Sequence, residues 1–386
     1  MDNLYSRQNL SYLWGMKKIL LIVSVIITLL GGTVAFAAET TEAIVVQPPD
    51  EYYRARVITI LDEGQEEVDG IVQAYQSIEA EILNAPEKGK RILIDHGGLF
   101  AIKDTQKVRL GDVVVLTKTL PVDAEPVYYI IDQYRTHGLM FTTAIFFVLA
   151  VIFGRKRGLT SIFGLVFSVI VIFYVMIPYI ARGGNPLFTC LVGAFAILFF
   201  SLYLSHGFNR RTTIALVASA LALGIAILID WLFVAITHLT GTGAEEAMYL
   251  QFSNVNLDLR SLLLGGILIG VLGVLDDATT GQAAAVEEIH HANPALPFLA
   301  LYKSGMSVGR EHIASLINTL ALVYVGASFP LLLLFTTQKN LPLWVILNGN
   351  FLAEEIVRTL VGSSVLVLAV PITTALAAYV YTKKSI

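Results

Sequence analysis

Cysteine is nearly absent from this chain, with Cys190 the only one in 386 residues. That excludes an internal disulfide and any cysteine-based metal site. Cys190, set in an apolar segment, reads as a small hydrophobe packed against lipid or core. Charge is scarce as well: Asp, Glu, Lys and Arg make up 15% of the residues, where soluble domains carry about 25%. A net charge of −4 gives no support to nucleic-acid binding. Nucleophile elbows, zinc-ligand spacings and glycine-rich phosphate loops are also lacking, and no cofactor is called for. What remains is apolar, with 55% hydrophobic residues and a mean hydropathy of +0.70. Most of this protein is dissolved in a lipid bilayer.

The first apolar run, "ILLIVSVIITLLGGTVAFA", follows Met16-Lys17-Lys18 and ends at Ala35-Phe36-Ala37. Residues 1–38 therefore read as a secretory signal with a small-residue cleavage site, or as an uncleaved anchor, since about 20 apolar residues can just span a bilayer. Seven further runs are long enough to cross. They lie near 138–154, 159–181, 186–206, 212–238, 261–286, 313–336 and 357–381. Arg155, Lys156, Arg157, Arg210, Arg211, Lys303, Arg310, Lys383 and Lys384 fall on one side if these spans alternate, together with Lys17 and Lys18. The other side has only Arg182, Arg260, Lys339 and Arg358 close to a span. The positive-inside rule then places the C-terminus in the cytoplasm and residues 39–136 outside the cell membrane.

Residues from about 50 to 135 change character. "EYYRARVITIL", "IVQAYQSIEAEIL", "KRILIDHG", "QKVRLGDVVVLTK" and "PVYYIIDQYR" alternate apolar and polar residues between Gly, Pro and Asp. This is the period of half-buried strands, and five of them suggest a small antiparallel barrel or sandwich. Gly111-Asp112 reads as a tight turn, and Asp95-His96 before Gly97-Gly98 as turn chemistry before a metal or catalytic pair. The expected organisation is an all-α polytopic membrane bundle over residues 137–386, joined to an extracytoplasmic β-domain that serves binding or docking.

The chemistry concentrates in "SLLLGGILIGVLGVLDDATTGQAAAVEEIHHAN", residues 261–293. A span stopping at Leu275 has only about 15 residues, too short for a ~30 Å hydrocarbon core, so the helix is expected to continue. Asp276 and Asp277 then fall near mid-membrane, where each charged aspartate costs roughly 2.5–3.5 kcal/mol before compensation. With about 100° of rotation per residue, Asp276, Asp277, Glu287, Glu288, His290 and His291 share an arc of roughly 160°, and Thr280 joins them. Asp276, Asp277, Thr280, Glu287 and Glu288 are the candidates for proton or ion coupling. Gly265, Gly266, Gly270 and Gly273 would let neighbouring helices approach. The rival reading ends the span at Leu275 and puts the acids on a cytoplasmic interfacial helix.

Two further polar features stand out. Glu287 and His291 are four apart on one helical face, a spacing compatible with metal ligation, and Glu311-His312 offers the remaining ligands of an intramembrane or interfacial enzyme. In "NGNFLAEEIVRTLVG", Glu354 and Arg358 form an i,i+4 pair, read first as a surface ion pair on an interfacial helix. Pro371 within the last run would kink its helix, as would Pro178 and Pro330 near the ends of theirs.

"GVLGVLDDATTGQAAAVEEIHHANP", "KSGMSVGREHIASLINTLALVYVGASFPLLLLF" and "EEIVRTLVGSSVLVLAVPITTALAAYVY" together resemble the YibE/F-like family of bacterial membrane proteins. The likeness runs from about residue 138 to the end and implies architecture more than activity. A fainter likeness concerns one helix. "VLDDATTGQAAAVEEI" is similar to the acid-bearing transmembrane helix of resistance-nodulation-division permeases, and implies that Asp276 and Asp277 match proton-relay aspartates and Val286-Glu287 a segment at the cytoplasmic end. Glu288 stands where that superfamily often has Asn, and the chain holds one set of spans instead of two. The expected function is a secondary transporter of an unknown small solute or ion, coupled to protons through the Asp pair. The alternative is an accessory or assembly factor that docks a protein partner through the external domain.

Overall fold

The computed structural model describes residues 51–68, 71–98, 101–120, 125–251, 257–337 and 342–383. The N-terminal signal or anchor lies outside these described residues. Two compact units are present, one within residues 35–148 and the other from residue 149 onward.

The first unit is a five-stranded antiparallel sheet formed by β1 (Glu51–Val68), β2 (Ile71–Ile82), β3 (Arg91–His96), β4 (Val113–Thr119) and β5 (Val127–Gln133), in the order β3-β2-β1-β4-β5. The five alternating runs of the sequence are these five strands. Tyr53, Ala55 and Val57 are buried while Tyr52, Arg54 and Arg56 face out, so the period of two fixes which side of β1 meets the core. Beta1 is the centre of the sheet, with Ala55 opposite Ile82 on β2 and Val114 on β4. Register shifts in β1 near Val57 and Ile60 add twist, and the edges β3 and β5 pack together into a small barrel-like body. Gln76 is buried at 1% exposure and satisfied, trading two hydrogen bonds with the backbone of Val108 at 2.7 and 3.1 Å.

The turns follow the expected chemistry. Gly111 adopts a φ of 90°, and the Asp112 carboxylate accepts from Arg109 N at 2.8 Å. Gly97 has a φ of 113°, and a Cβ there would stand 2.5 Å from the Ala74 carbonyl. Beside it, the His96 ring contacts the Gln106 carbonyl at 3.2 Å.

The second unit is helical, and its first helix begins within residues 35–148. Helix α1 (Thr136–Ile170) widens into a π-helical turn (Val171–Met176) and ends in α2 (Ile177–Ala181). Then come α3 (Pro186–His206), α4 (Arg210–Ile236), α5 (Glu245–Gln251), α6 (Leu259–Ala292), α7 (Phe298–Ala327), α8 (Phe329–Thr337), α9 (Leu343–Leu347) and α10 (Asn350–Thr382). Helices α4, α6 and α10 pack mutually at the centre, with α3 against α6, and α7 against both α6 and α10. Phe153 and Tyr174 on the first helical stretch are 81% and 79% exposed, as expected where lipid rather than water is the neighbour.

Five helical stretches among the described residues are long and apolar enough to cross a membrane, not the seven expected. The first two expected runs form one stretch, Thr136–Ala181, broken at Arg155, whose φ of 50° and ψ of −132° are not helical. The expected sixth run, 313–336, is divided between α7 and α8, and α7 carries Lys303, Arg310 and Glu311 in its first half. Helix α10 runs on through Pro371.

The helix carrying the acids is continuous: α6 spans 34 residues, about 51 Å at 1.5 Å per residue. Asp258 caps it, accepting from the Arg260 and Ser261 amides at 3.1 and 3.2 Å. Of the glycines first picked out, Gly265 alone permits a close approach. A Cβ on Gly265 would stand 2.7 Å from Cys190 Sγ, but Gly266 and Gly273 meet nothing within 4 Å and Gly270 only the Tyr324 hydroxyl at 3.6 Å. Besides Gly265, tight contacts lie on α7. A Cβ on Gly305 would come within 2.8 Å of both Thr374 and Val286, and one on Gly309 within 2.6 Å of Val370. Cys190 itself is 5% exposed and packed in the bundle core.

Candidate functional site

Asp276 sits at the midpoint of α6 and faces α3, where Ser201 Oγ donates to its Oδ2 at 3.2 Å. Its Oδ1 is buried with no hydrogen-bond partner. Asp277 is exposed and lines the same cleft of about 370 Å³. The cleft takes hydroxyls from two faces: Ser161 and Ser168, seven apart on α1, and Ser201 and Ser205, four apart on α3. His206 completes its polar wall. Gly164 makes room for this arrangement, since a Cβ there would lie 3.2 Å from Ser205 Oγ and 3.4 Å from Ser201 Oγ. The cleft thus offers two carboxylates and a ring of hydroxyl oxygens, a set suited to a proton or a small polar or cationic solute.

The remaining ionisable residues of α6 share its arc but not this cleft. Packing on several sides of a central helix means that small rotations select different neighbours. Glu287 is held by Arg211 of α4 at 3.2 Å and by the Tyr381 hydroxyl of α10, which donates at 2.9 Å. His290 stacks on the same Tyr381 with ring centroids 5.5 Å apart. Glu288 and His291 are exposed. Thr280 turns its hydroxyl back to the Asp276 carbonyl at 2.7 Å. Its neighbour Thr279 is the residue that reaches across the bundle, meeting Ser219 of α4 at 2.7 Å with both side chains fully buried. Because Thr279 also donates to the Leu275 carbonyl at 2.8 Å, its one hydroxyl hydrogen is spoken for and Ser219 is the donor.

The candidate metal quartet is not assembled. Glu287 is committed to Arg211 and Tyr381, Glu311 is exposed, and among the described residues no group of three or more His, Cys, Asp or Glu is placed to hold a metal ion.

The Glu354–Arg358 surface pair is corrected in both partners. Glu354 is buried at 4% exposure and accepts from the Gly243 amide at 2.9 Å. Glycine permits this approach, since a Cβ on Gly243 would stand 2.6 Å from the carboxyl carbon. Arg358 instead pairs with Glu355, one residue closer in sequence, at 3.5 Å.

Three polar groups escaped the sequence reading. Gln282, buried at 1% exposure, donates to the Gly305 carbonyl at 2.9 Å and to Thr374 Oγ1 at 2.7 Å, tying α6 to α7 and α10. The Ser219–Thr279 pair is the second. The third is Asp230 on α4, also 1% exposed, with neither oxygen hydrogen-bonded. Its signal was plain: a lone acid in "AILIDWLF" is as costly in lipid as Asp276.

The first unit has a separate charged cluster. Glu87 accepts from Lys118 at 2.5 Å, Tyr128 at 2.6 Å and Lys90 at 2.7 Å. The Lys118 and Lys90 ammonium groups and the Tyr128 hydroxyl hold its carboxyl down to about 2. Tyr53 donates to Glu51 at 2.6 Å, and that hydrogen bond pushes its phenol up to about 12.

A bundle with an apolar exterior, membrane-length helices and carboxylates turned inward is that of a multi-pass helical membrane protein. Residues 142–383 match the family model described as YibE/F-like protein, and the chain belongs to that family. No curated protein and no solved structure matches it.

Proposed function

We propose that this YibE/F-like protein is a secondary transporter of the cell membrane that moves a small solute or ion in exchange with or alongside protons, with Asp276 and Asp277 as the coupling pair. The observation that carries the reading is Asp276: it stands midway along a membrane-length helix, bordering a hydroxyl-lined cleft, with one carboxylate oxygen lacking a partner. A carboxyl in that position gains or loses a proton as the cleft's access to water changes. In this reading the bundle crosses seven times. Thr136–Ala181 is about 69 Å long, twice a ~30 Å core, and its break at Arg155 makes two crossings. The far half of α7 with α8 supplies another. Basic residues 155–157, 210–211 and Lys383 support a cytoplasmic C-terminus and an external first unit.

The test uses proteoliposomes with an internal pH dye and an imposed pH gradient, challenged with a panel of small cationic and polar solutes. Solute-dependent proton movement is expected from the wild type and is abolished in D276N/D277N protein that still inserts. Unchanged movement in the double variant overturns the reading.

A second reading rests on the outer face of the sheet, where Tyr52, Val72 and Leu93 are 62–65% exposed. Such side chains fit a docking module of a non-transporting accessory factor. Crosslinking from Leu93 in cells that recovers no protein dismisses it.

A further inference from the structure

Among the described residues, Asp230 has both carboxylate oxygens buried and unpartnered, and nothing above uses it. It lies six residues before the end of α4, which packs against α10 and α6. Both carboxylate oxygens are buried and without a hydrogen-bond partner. An ionised carboxylate left so is among the costliest groups an apolar interior can contain. The charged group whose field reaches it is Arg358 of α10, whose Nε is also buried without a hydrogen bond and rests 3.5 Å from Glu355. The field of Arg358 also reaches Glu354, but that carboxylate already accepts from the Gly243 amide, whereas Asp230 has no hydrogen bond at all. Helices α3 and α6, the other long elements on α4, bring no charge that acts on Asp230. A buried carboxyl and a half-buried guanidinium therefore sit on packed helices, the carboxyl without a hydrogen bond, the guanidinium with its Nε buried and unbonded, and the two not bonded to each other.

We propose that Asp230 is a second proton-binding carboxylate of the bundle, and that Arg358 is the cation that replaces the proton when it leaves. This extends the proton-linked reading to a site toward the other end of the bundle from the Glu287–Arg211 pair. In the arrangement described, Asp230 carries the proton and Arg358 stays with Glu355. On release, the proton passes to water as hydronium, and the guanidinium moves from Glu355 to the new carboxylate. The site is then one unit more negative, and with the guanidinium moved beside the new carboxylate that charge is left on the partly exposed Glu355. A metal ion is the weaker occupant, since several oxygen ligands are needed and no group of three or more acids or histidines surrounds any point among the described residues.

Infrared difference spectroscopy on the full-length protein in lipid nanodiscs reads this directly through the carboxylic-acid C=O stretch. The wild type at neutral pH is expected to show a protonated-carboxyl band that persists in D276N, disappears in D230N and shifts in Asp230→Glu, which keeps the carboxyl. In R358Q the band survives alkaline conditions that remove it from the wild type. A neutral-pH spectrum that D230N leaves unchanged overturns the site. An unchanged alkaline response in R358Q overturns the role of Arg358. Because the band reports protonation whether or not solute moves, a failed transport assay and a failed Asp230 site are separate outcomes.

Discussion

Ser201 donates to Asp276 across 3.2 Å, joining α3 to the midpoint of α6, and no second donor reaches the other Asp276 oxygen. The hydroxyl is thus the one protein group that stabilises the ionised form by direct contact among the described residues. A hydrogen bond to a charged group contributes about 1.5–3 kcal/mol, or roughly 10–100-fold in an equilibrium. Ser201→Ala is expected to slow dye-reported proton movement by at least about tenfold, with Ser201→Thr retaining most of it. An Ala variant that matches wild-type rates removes Ser201 from the coupling site.

Glycine substitutions on α6 and α7 are expected to divide sharply. Gly265→Ala drives a methyl to 2.7 Å from Cys190 Sγ, and Gly305→Ala to 2.8 Å from Thr374 and Val286. Overpacking of this kind costs about 1–3 kcal/mol, so both variants should unfold at lower temperature in detergent. Gly266→Ala meets nothing within 4 Å and removes a flexible residue from a helix, which is stabilising by about 0.5–1 kcal/mol. Equal effects at positions 265 and 266 would sink the packing account.

How much of this was legible follows from the range over which each feature is determined. The strands were legible because Tyr53, Ala55 and Val57 alternate with polar residues, and burial obeys that alternation. The continuity of α6 was legible because a span ending at Leu275 is too short for a bilayer. Partners were not. Glu354 and Arg358 have the spacing of an ion pair, but Gly243, 111 residues away, takes the glutamate and leaves Arg358 to Glu355. Thr279 and Thr280 differ by one helical step, and only the position of Ser219 decides which of them crosses the interface. The break at Arg155 was legible, because Arg155-Lys156-Arg157 interrupts the apolar run that would otherwise extend from 138 to 181.

Glu287 joins three helices at one end of the bundle, through Arg211 of α4 and Tyr381 of α10. Losing a hydrogen bond to a charged group costs about 1.5–3 kcal/mol, so Glu287→Ala should lower the unfolding temperature more than Glu288→Ala, whose side chain is exposed. The exchanged pair R211E/E287R should recover part of that loss, while R211E alone places two acids together and should be worse than Ala. Activity lost in Glu287→Gln protein of wild-type stability would show instead that Glu287 carries protons.

The pH response of the external unit has a definite sign. Glu87 titrates at about 2 in the folded protein against an ordinary 4.5, because Lys118, Lys90 and Tyr128 all donate to it. A carboxyl depressed by folding contributes stability that is present in full above about 4.5 and drains away as pH falls through the window down to about 2. Lys90 and Lys118 stay protonated throughout, since the window lies far below the ordinary lysine value of 10.5. Hydrogen-exchange protection of β4 and of residues 83–90 in the full-length protein, corrected for intrinsic rates, should therefore fall between pH 4.5 and 2. Glu87→Gln should show lower protection at neutral pH and a flatter profile across the acid range. A profile as steep in the variant as in the wild type would assign acid sensitivity to other carboxylates of the sheet.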